Sequence, residues 1–472
     1  MIKGFRTFQP QFNTWDTQLH FPTPPHFLQD WRLQIEYAQT QFAGLSNTQR
    51  AQFLNDLAVN FRNIKSDLSK IYSKESGLSA ERFEAEFERT QHTISIFAQH
   101  VLKVDWQKTE RSETENIQFS KQTLPLGTVL VLGSSNFPLA YSTLGGDTIA
   151  ALAAGCCVVL KAHPMHAGTS SFVAQCIAKT LQQWKLSPFI FSHILDDSYY
   201  WAKTFAQENA IKAIGFTGSI KGGRALMDIA AQRSEPIPVF AEMGSLNPVV
   251  ITPNQDKITL FQTAQKLARA VYTDAGQFCT KPGLILVHSV QADIFKNHLL
   301  EELAQLPATP MLHPDIYAKF EARKRQVFEC KGFTRLENQE VLNGIFARWG
   351  IAETQLQHLY NAPTALEEVF GPFSIICSYQ SFDELQNLWG ILGGQLTLSI
   401  FTNEPESHLK LLFAAQKIAG RIIINGVPTG VRVLETMHHG GPYPASSDAR
   451  FTAVGPDSIK RFTKEVCVQK HL

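Results

Sequence analysis

The sequence predicts an α/β protein built on parallel sheets, and three observations carry that prediction. Short apolar runs alternate with amphipathic helical stretches through residues 127–240, and a second alternation of the same kind follows from 258 to 425. Two polar stretches with alternating character, 105–122 and 461–470, stand at opposite ends of this pattern as isolated edge strands.

Taken in order, the first hundred residues read as helical. Stretches 31–41, 47–74 and 80–100 carry apolar residues at three-and-four spacing, and Gly77 separates the second from the third. Residues 105–122 are too polar and too regularly alternating for a buried helix, so a hairpin is predicted there. The two edge stretches are expected to pair with each other or with another subunit. Strands are predicted at 127–132, 156–161, 189–194, 213–217 and 237–240, with helices at 144–154, 169–184 and 222–232 between them. A strand–helix–strand repeat of this kind requires crossovers and therefore a parallel sheet. The second set runs from a helix at 258–273 through a strand at 283–288 and a helix at 292–305. Strands at 373–379, 398–402 and 421–425, with a helix after Ser381, complete it. No internal repeat and no low-complexity tract interrupts the chain.

Composition excludes several classes of function. The 472 residues hold 43 Lys+Arg against 42 Asp+Glu, a net charge of +1, which leaves no basic surplus for binding nucleic acid. Hydrophobic residues at 44% and charged residues at 18% rule out a disordered chain, and the length calls for more than one domain. The first residues lack the apolar core of a secretory signal. The least charged stretch, 127–146, is broken by Gly133, Pro138 and Gly145-Gly146, so no membrane span is expected. Seven cysteines without a CxxC pair argue against a disulfide framework or a zinc knuckle. A cytoplasmic, metal-free protein is the expectation. His163 and His166 do not change it, because Pro164 breaks the helix a metal-binding pair would need.

Five segments place reactive or polar side chains beside glycine or proline: Gly133-Ser-Ser-Asn136-Phe137-Pro138, Lys161-Ala-His163-Pro164, Gly215-Phe-Thr-Gly218-Ser219-Ile-Lys-Gly222-Gly223, Glu242-Met-Gly244-Ser245 and Gly276-Gln-Phe278-Cys279-Thr280. The first four follow predicted strands, where open parallel sheets bind ligands. The third is neither a Walker loop, since Lys221 precedes Gly222, nor GxGxxG. In this order, and with Glu368-Val-Phe370-Gly-Pro372 further on, the segments resemble the aldehyde dehydrogenase superfamily over residues 30–465.

That resemblance implies an aldehyde dehydrogenase-like fold with three parts. A Rossmann-type cofactor domain would comprise 1–104 and 125–242, an α/β catalytic domain 243–445, and a small β oligomerisation domain 105–124 with 446–472, giving a homodimer or homotetramer. It also implies roles. Cys279 would attack the aldehyde, since a thiolate is the strongest nucleophile near neutral pH, forming a thiohemiacetal and then a thioester. The Asn136 amide and the Cys279 N–H would hold the oxyanion, and Glu242 would activate the hydrolytic water. Lys161, His163, Gly218, Ser219, Gly222, Glu368 and Phe370 would contact the cofactor. Many NAD-using members have a glutamate where this chain has His163, so NADP is expected, with NAD as the alternative.

For the substrate, Asn425-Gly-Val-Pro-Thr-Gly430 and His439-Gly-Gly-Pro-Tyr-Pro444 resemble the subgroup oxidising 2,5-dioxopentanoate to 2-oxoglutarate, whose relatives include NADP-dependent fatty aldehyde dehydrogenases. Phe137, Phe278 and Arg432 are the candidate substrate contacts. Arg432 would either pair with a substrate carboxylate or be a solvated loop charge, and no specific task is expected of His438 or His439. The alternatives are a long-chain aldehyde substrate, a coenzyme A-acylating enzyme, which the base Glu242 disfavours, and a catalytically silent binding protein of the same fold. The six cysteines other than Cys279 and most of the 33 phenylalanines are expected to fill core space.

Overall fold

The computed structural model describes residues 3–103, 110–114, 116–337, 342–404 and 409–471. Residues 105–109 and 115 of the predicted hairpin therefore lie outside the described residues.

Two parallel sheets dominate. In the first, five strands lie in the order Phe191–Ile194, Val158–Lys161, Thr128–Leu132, Ile211–Thr217 and Val239–Glu242, all parallel. The strand order reverses direction beside Thr128–Leu132, the place where such sheets open a crevice for a ligand. The second sheet has seven strands, in the order Thr334–Glu337, Gly350–Gln355, Phe373–Tyr379, Leu284–His288, Val249–Ile251, Gln395–Phe401 and Ala419–Ile424. All of its pairings are parallel except that of the first edge strand, Thr334–Glu337.

The alternation of side chains across a strand sorts the second sheet's core into two layers. Leu284, Leu286 and Ile375 face one cluster, while Ile285, Val287 and Ile376 face the other, with Val249 and Ile251. The first sheet shares a single core with the amino-terminal helices: Trp31, Phe42, Phe61 and Phe97 pack in the same cluster as Val129, Val158 and Ile214.

Those helices are bounded by local chemistry. Ser46 and Gln49 form a reciprocal capping box at the start of Asn47–Asn63, and Ser79 caps Ala80–Leu102. Gly77 ends Lys65–Ser76 at φ 66°, where a side chain would be strained. The single helix predicted over 47–74 is instead two, broken at Ile64 (φ −95°, ψ 0°). The break turns the second piece onto new partners. Tyr72 donates to Glu86, and Glu75 accepts the Gly168 and Thr169 amides.

The two edge stretches do pair with each other. Thr463–His471 runs antiparallel to Ile117–Pro125 over its whole length, and Glu110–Thr114 adds on the other side. No helix among the described residues is long and apolar enough to cross a membrane.

Candidate active site

The order of the first sheet brings the sequence motifs together. Lys161, Leu132, Thr217 and Glu242 end neighbouring strands, so the loops that follow them line one edge of the sheet. At the third of these, Ser219 caps the helix Ile220–Ala231, accepting from the Gly222 amide at 3.2 Å. A Cβ on Gly218 would lie 2.6 Å from the Phe216 ring and one on Gly222 2.9 Å from it, so glycine is required to keep this turn close to the strand. The result is a helix amino terminus suited to a pyrophosphate, in which Ser219 holds the Gly222 amide and the Glu242 carbonyl holds the Gly218 amide at 3.0 Å.

Lys161 is 8% exposed, and its ammonium donates to the Asp196 carbonyl at 2.6 Å. His163 is half-buried, accepts the Met165 amide on Nδ1 and stacks on His166 at 5.5 Å. Burial, with the neighbouring His166, Lys161 and His313, holds the His163 imidazole well below its ordinary pKa, so it is neutral. His166 in turn contacts the Ser134 carbonyl at 3.0 Å.

Cys279 lies on a loop whose backbone is strained. Asp274, Ala275 and Gly276 all adopt the left-handed region, with φ of 51°, 52° and 62°. A Cβ on Gly276 would come within 2.5 Å of the Gly371 carbonyl oxygen, so the chain passes there only as glycine. Arg82 holds the loop by a 2.8 Å ion pair to Asp274. Beyond the nucleophile, the buried Asn247 amide donates to the carbonyls of Cys279 at 2.8 Å and Lys281 at 2.9 Å. Asn247 itself sits at φ 47°. Replacing it with leucine removes both donors and strains the backbone, and each buried group left unpaired costs roughly 1–3 kcal/mol. Asn247→Leu is expected to lower the melting temperature and to change the rate at which iodoacetamide alkylates Cys279; unchanged values of both would remove this role.

Glu242 is 3% exposed, and neither of its carboxylate oxygens has a hydrogen-bond partner. His439, 1% exposed, brings Nε2 to 2.5 Å from Glu242 Oε1, an ion-pair distance without hydrogen-bond alignment, and to 3.9 Å from Cys279 Sγ. The imidazole therefore stands between the candidate base and the candidate nucleophile. Backbone contacts fix it there. The His439 amide donates to Thr452, its carbonyl accepts from Ala453, and the following turn lies along the strand through Met243 N to the Ala445 carbonyl. No task was expected of His439. It lies 160 residues from Cys279, and a histidine pair in a glycine loop carries no spacing signal of its own.

Burial pushes the Cys279 thiol well above its ordinary pKa; Glu242 and Glu368 add to this, while Arg89 and Arg421 oppose it. Arg432, the cation singled out in the sequence, is exposed on its loop. Arg89 donates to Tyr141 Oη at 2.8 Å and to the Val431 carbonyl, and Arg421 donates to the Pro428 carbonyl while its Nε is buried without a partner. A signal for Arg421 was present: a cation opening the otherwise apolar run Arg421-Ile-Ile-Ile on an edge strand.

The other expected residues fall nearby. Phe137 and Phe278 meet edge to face at 5.7 Å, and the Arg82 guanidinium lies 4.3 Å from the first ring. The Asn136 amide donates to the Gln277 carbonyl at 2.8 Å, which commits one of its two N–H groups and leaves the other. Glu368 approaches so closely that a Cβ on Gly244 would lie 2.1 Å from its Oε2. Burial raises the Glu368 carboxyl and lowers the Lys281 ammonium, each partly countered by the other. Phe370 is half-buried on the same loop.

Comparison with known proteins follows the same lines. Residues 32–466 match the Aldehyde dehydrogenase family. An alpha-ketoglutaric semialdehyde dehydrogenase of Acinetobacter baylyi is 36% identical over 440 residues, which span 89% of this chain and 82% of that protein. Alpha-ketoglutaric semialdehyde dehydrogenase 2 of Azospirillum brasilense is 35% identical over 431 residues, with 89% and 82% covered. Among solved structures, 1-pyrroline-5-carboxylate dehydrogenase from Thermus with bound NAD superposes with a TM-score of 0.87 at 16% identity, covering 100% of this chain and 90% of that one. The glyceraldehyde-3-phosphate dehydrogenase GapN from Methanocaldococcus jannaschii, complexed with NADP, gives 0.84 at 17% identity, with 100% of both chains covered.

Proposed function

The chain belongs to the aldehyde dehydrogenase family, NAD(P)-dependent oxidoreductases acting on aldehydes, and we propose that its substrate is 2,5-dioxopentanoate, oxidised to 2-oxoglutarate with a preference for NADP. The observation that carries the substrate is the pair Arg89 and Arg421. Arg89 donates to Tyr141 Oη at 2.8 Å, whose ring lies 6.2 Å from the His439 imidazole beside Cys279. Both guanidinium groups oppose the burial that raises the Cys279 thiol, and neither forms a salt bridge among the described residues. Two cations beside a nucleophile suit an aldehyde that carries a carboxylate at its far end. The names of the two bacterial relatives agree with this chemistry.

In the reaction we propose, the Cys279 S–H proton leaves to solvent and Sγ, as the thiolate, adds to the aldehyde carbon. The free N–H of Asn136 and the Cys279 amide receive the oxyanion that forms, and hydride departure leaves a thioester on Cys279. Glu242, with unpartnered oxygens and His439 beside it, takes a proton from the water that cleaves the thioester. The nicotinamide of a bound cofactor supplies the hydride acceptor. The helix amino terminus between Gly218 and Gly222 would hold its pyrophosphate through the Ser219, Ile220 and Lys221 amides, and Lys161 with His163 its adenosine ribose, where no acidic side chain follows Lys161 through Ser170 to repel a 2′-phosphate. Glu368 and Phe370 would contact the nicotinamide half. We assign the first sheet and its helices to cofactor binding, the second to catalysis, and the three-stranded sheet to subunit contact in a homo-oligomer.

The test is a comparison of kcat/KM for 2,5-dioxopentanoate, pentanal and a long-chain aldehyde, each with NADP and NAD. Arg421→Met is expected to lower kcat/KM for 2,5-dioxopentanoate by about 10- to 100-fold, the worth of a charged hydrogen bond of roughly 1.5–3 kcal/mol, and to leave pentanal nearly unchanged. A wild-type preference for uncharged long chains would reject the proposed substrate, and an NAD preference would reject the cofactor assignment.

A further inference from the structure

Three side chains of the site form a set that the oxidation of an aldehyde does not require as a set. One oxygen of Glu242, Sγ of Cys279 and one ring nitrogen of His439 all lie within 4.8 Å of one another. Carboxylate, thiolate and imidazole are each ligands of zinc, and three protein ligands with a fourth position left for solvent is a recurring zinc arrangement. A second observation points to a ligand here. Glu242, only 3% exposed, makes no aligned hydrogen bond through either carboxylate oxygen, although Oε1 faces His439 Nε2 at 2.5 Å. Buried polar atoms left without partners are uncommon, because each forfeits its hydration.

We propose that Glu242, Cys279 and His439 form a binding site for a thiophilic divalent cation, zinc or its analogues, and that occupancy switches the enzyme off reversibly. Zinc bonds of about 2.3 Å to sulfur and about 2.0–2.1 Å to nitrogen and oxygen place S and N about 3.6 Å apart, and N and O about 3.3 Å apart, in a tetrahedron. The present separations are 3.9 Å from Cys279 Sγ to His439 Nε2 and 2.5 Å from His439 Nε2 to Glu242 Oε1. The sulfur would have to close on the nitrogen, and the nitrogen and carboxylate oxygen would have to part by about 0.8 Å, for a zinc ion to enter between them. On binding, the Cys279 S–H bond breaks, its proton leaves to solvent and a sulfur–metal bond forms, so the nucleophile and the base are withdrawn together. Magnesium, which prefers oxygen ligands and keeps its waters, should not compete. No motif spacing marks the set, since its members are scattered at 242, 279 and 439 and no spacing rule joins them.

The binding half of the proposal is read without substrate or cofactor, so its failure and the failure of the proposed substrate are separate results. Cobalt(II) added to the substrate-free protein is the probe. One equivalent per chain, with a thiolate-to-cobalt charge-transfer band in the near ultraviolet that zinc displaces and magnesium does not, is expected. Cys279→Ala should abolish the band. His439→Gln should weaken cobalt binding by more than the roughly 10- to 100-fold typical of removing a ligand's hydrogen-bond partner. Circular dichroism of both variants checks that they fold. In turnover assays, micromolar zinc should inhibit the wild type and a chelator should restore full activity. No thiolate band, or a band that persists in Cys279→Ala, overturns the site. Binding without inhibition overturns its role as a switch.

Discussion

Glu242→Gln is expected to complete the first half of the reaction and stall in the second. Mixed with aldehyde and NADP in a stopped-flow instrument, the variant should release a burst of NADPH no larger than the number of chains, followed by turnover slower than wild type by about 10²- to 10⁴-fold, the usual contribution of a general base. The reason lies in the geometry. Cys279 keeps its position through Asn247 and the Arg82–Asp274 pair, neither of which involves Glu242. The amide retains the carboxylate's shape but cannot accept the water's proton. Removing a negative charge beside Cys279 also favours the thiolate, because Glu242 is among the groups that push the thiol upward. The burst in the variant should therefore be at least as fast as in wild type below the thiol's pKa. Cys279→Ala must show no burst at all. A Glu242→Gln enzyme with full steady-state turnover would assign the base elsewhere, with His439 the next candidate.

Most of the fold was legible because parallel sheets are written in short apolar runs. Every predicted strand of the first sheet is present, and the two polar edge stretches pair as their alternation suggested. What escaped was short, polar or tertiary in origin. Val249–Ile251 lies at the heart of the second sheet, yet three residues after a proline make no periodic signal. Thr334–Glu337 and Gly350–Gln355 are mixed in polarity and sit toward one edge of that sheet. The break at Ile64 is imposed by what Tyr72 and Glu75 must reach, which no window of local sequence contains.

The site divides the same way. Cys279, Glu242 and Asn136 were named from segments that put a reactive side chain next to glycine or proline. The residues that tune them, His439, Arg89 and Arg421, come from a late loop, an early helix and an edge strand. Their roles arise only from folding. Arg432 is exposed on its loop, in keeping with the solvated-charge alternative.

Glu86→Ala should have the largest effect of any substitution outside the reacting groups. Arg82, Glu86 and Arg89 occupy one face of the helix Ala80–Leu102, at spacings of four and three. Glu86 is 1% exposed and does four things at once. Its Oε1 accepts the amides of Leu139 and Ala140, both at 2.8 Å, and its Oε2 accepts the Tyr72 hydroxyl at 2.7 Å and lies 3.3 Å from Arg82. Arg82 in turn grips Asp274, ahead of the nucleophile, and reaches the Asn136 carbonyl at 3.4 Å. One carboxylate thus ties the loop carrying Asn136 to the strained turn that presents Cys279. Removing it leaves a buried guanidinium short of charge and two buried amides without acceptors, a loss of about 3–5 kcal/mol for a broken buried pair. A lower melting temperature is expected together with a fall in kcat, because the two loops lose their common anchor. Glu86→Gln separates the contributions: its amide oxygen can still accept one backbone N–H, so it should recover part of the stability, while the lost charge leaves Arg82 loosely held and kcat low. If Glu86→Gln restored both to wild-type values, the anchor would be a matter of hydrogen bonding alone. If Glu86→Ala left kcat untouched while lowering stability, the link from this helix to the catalytic loops would fail.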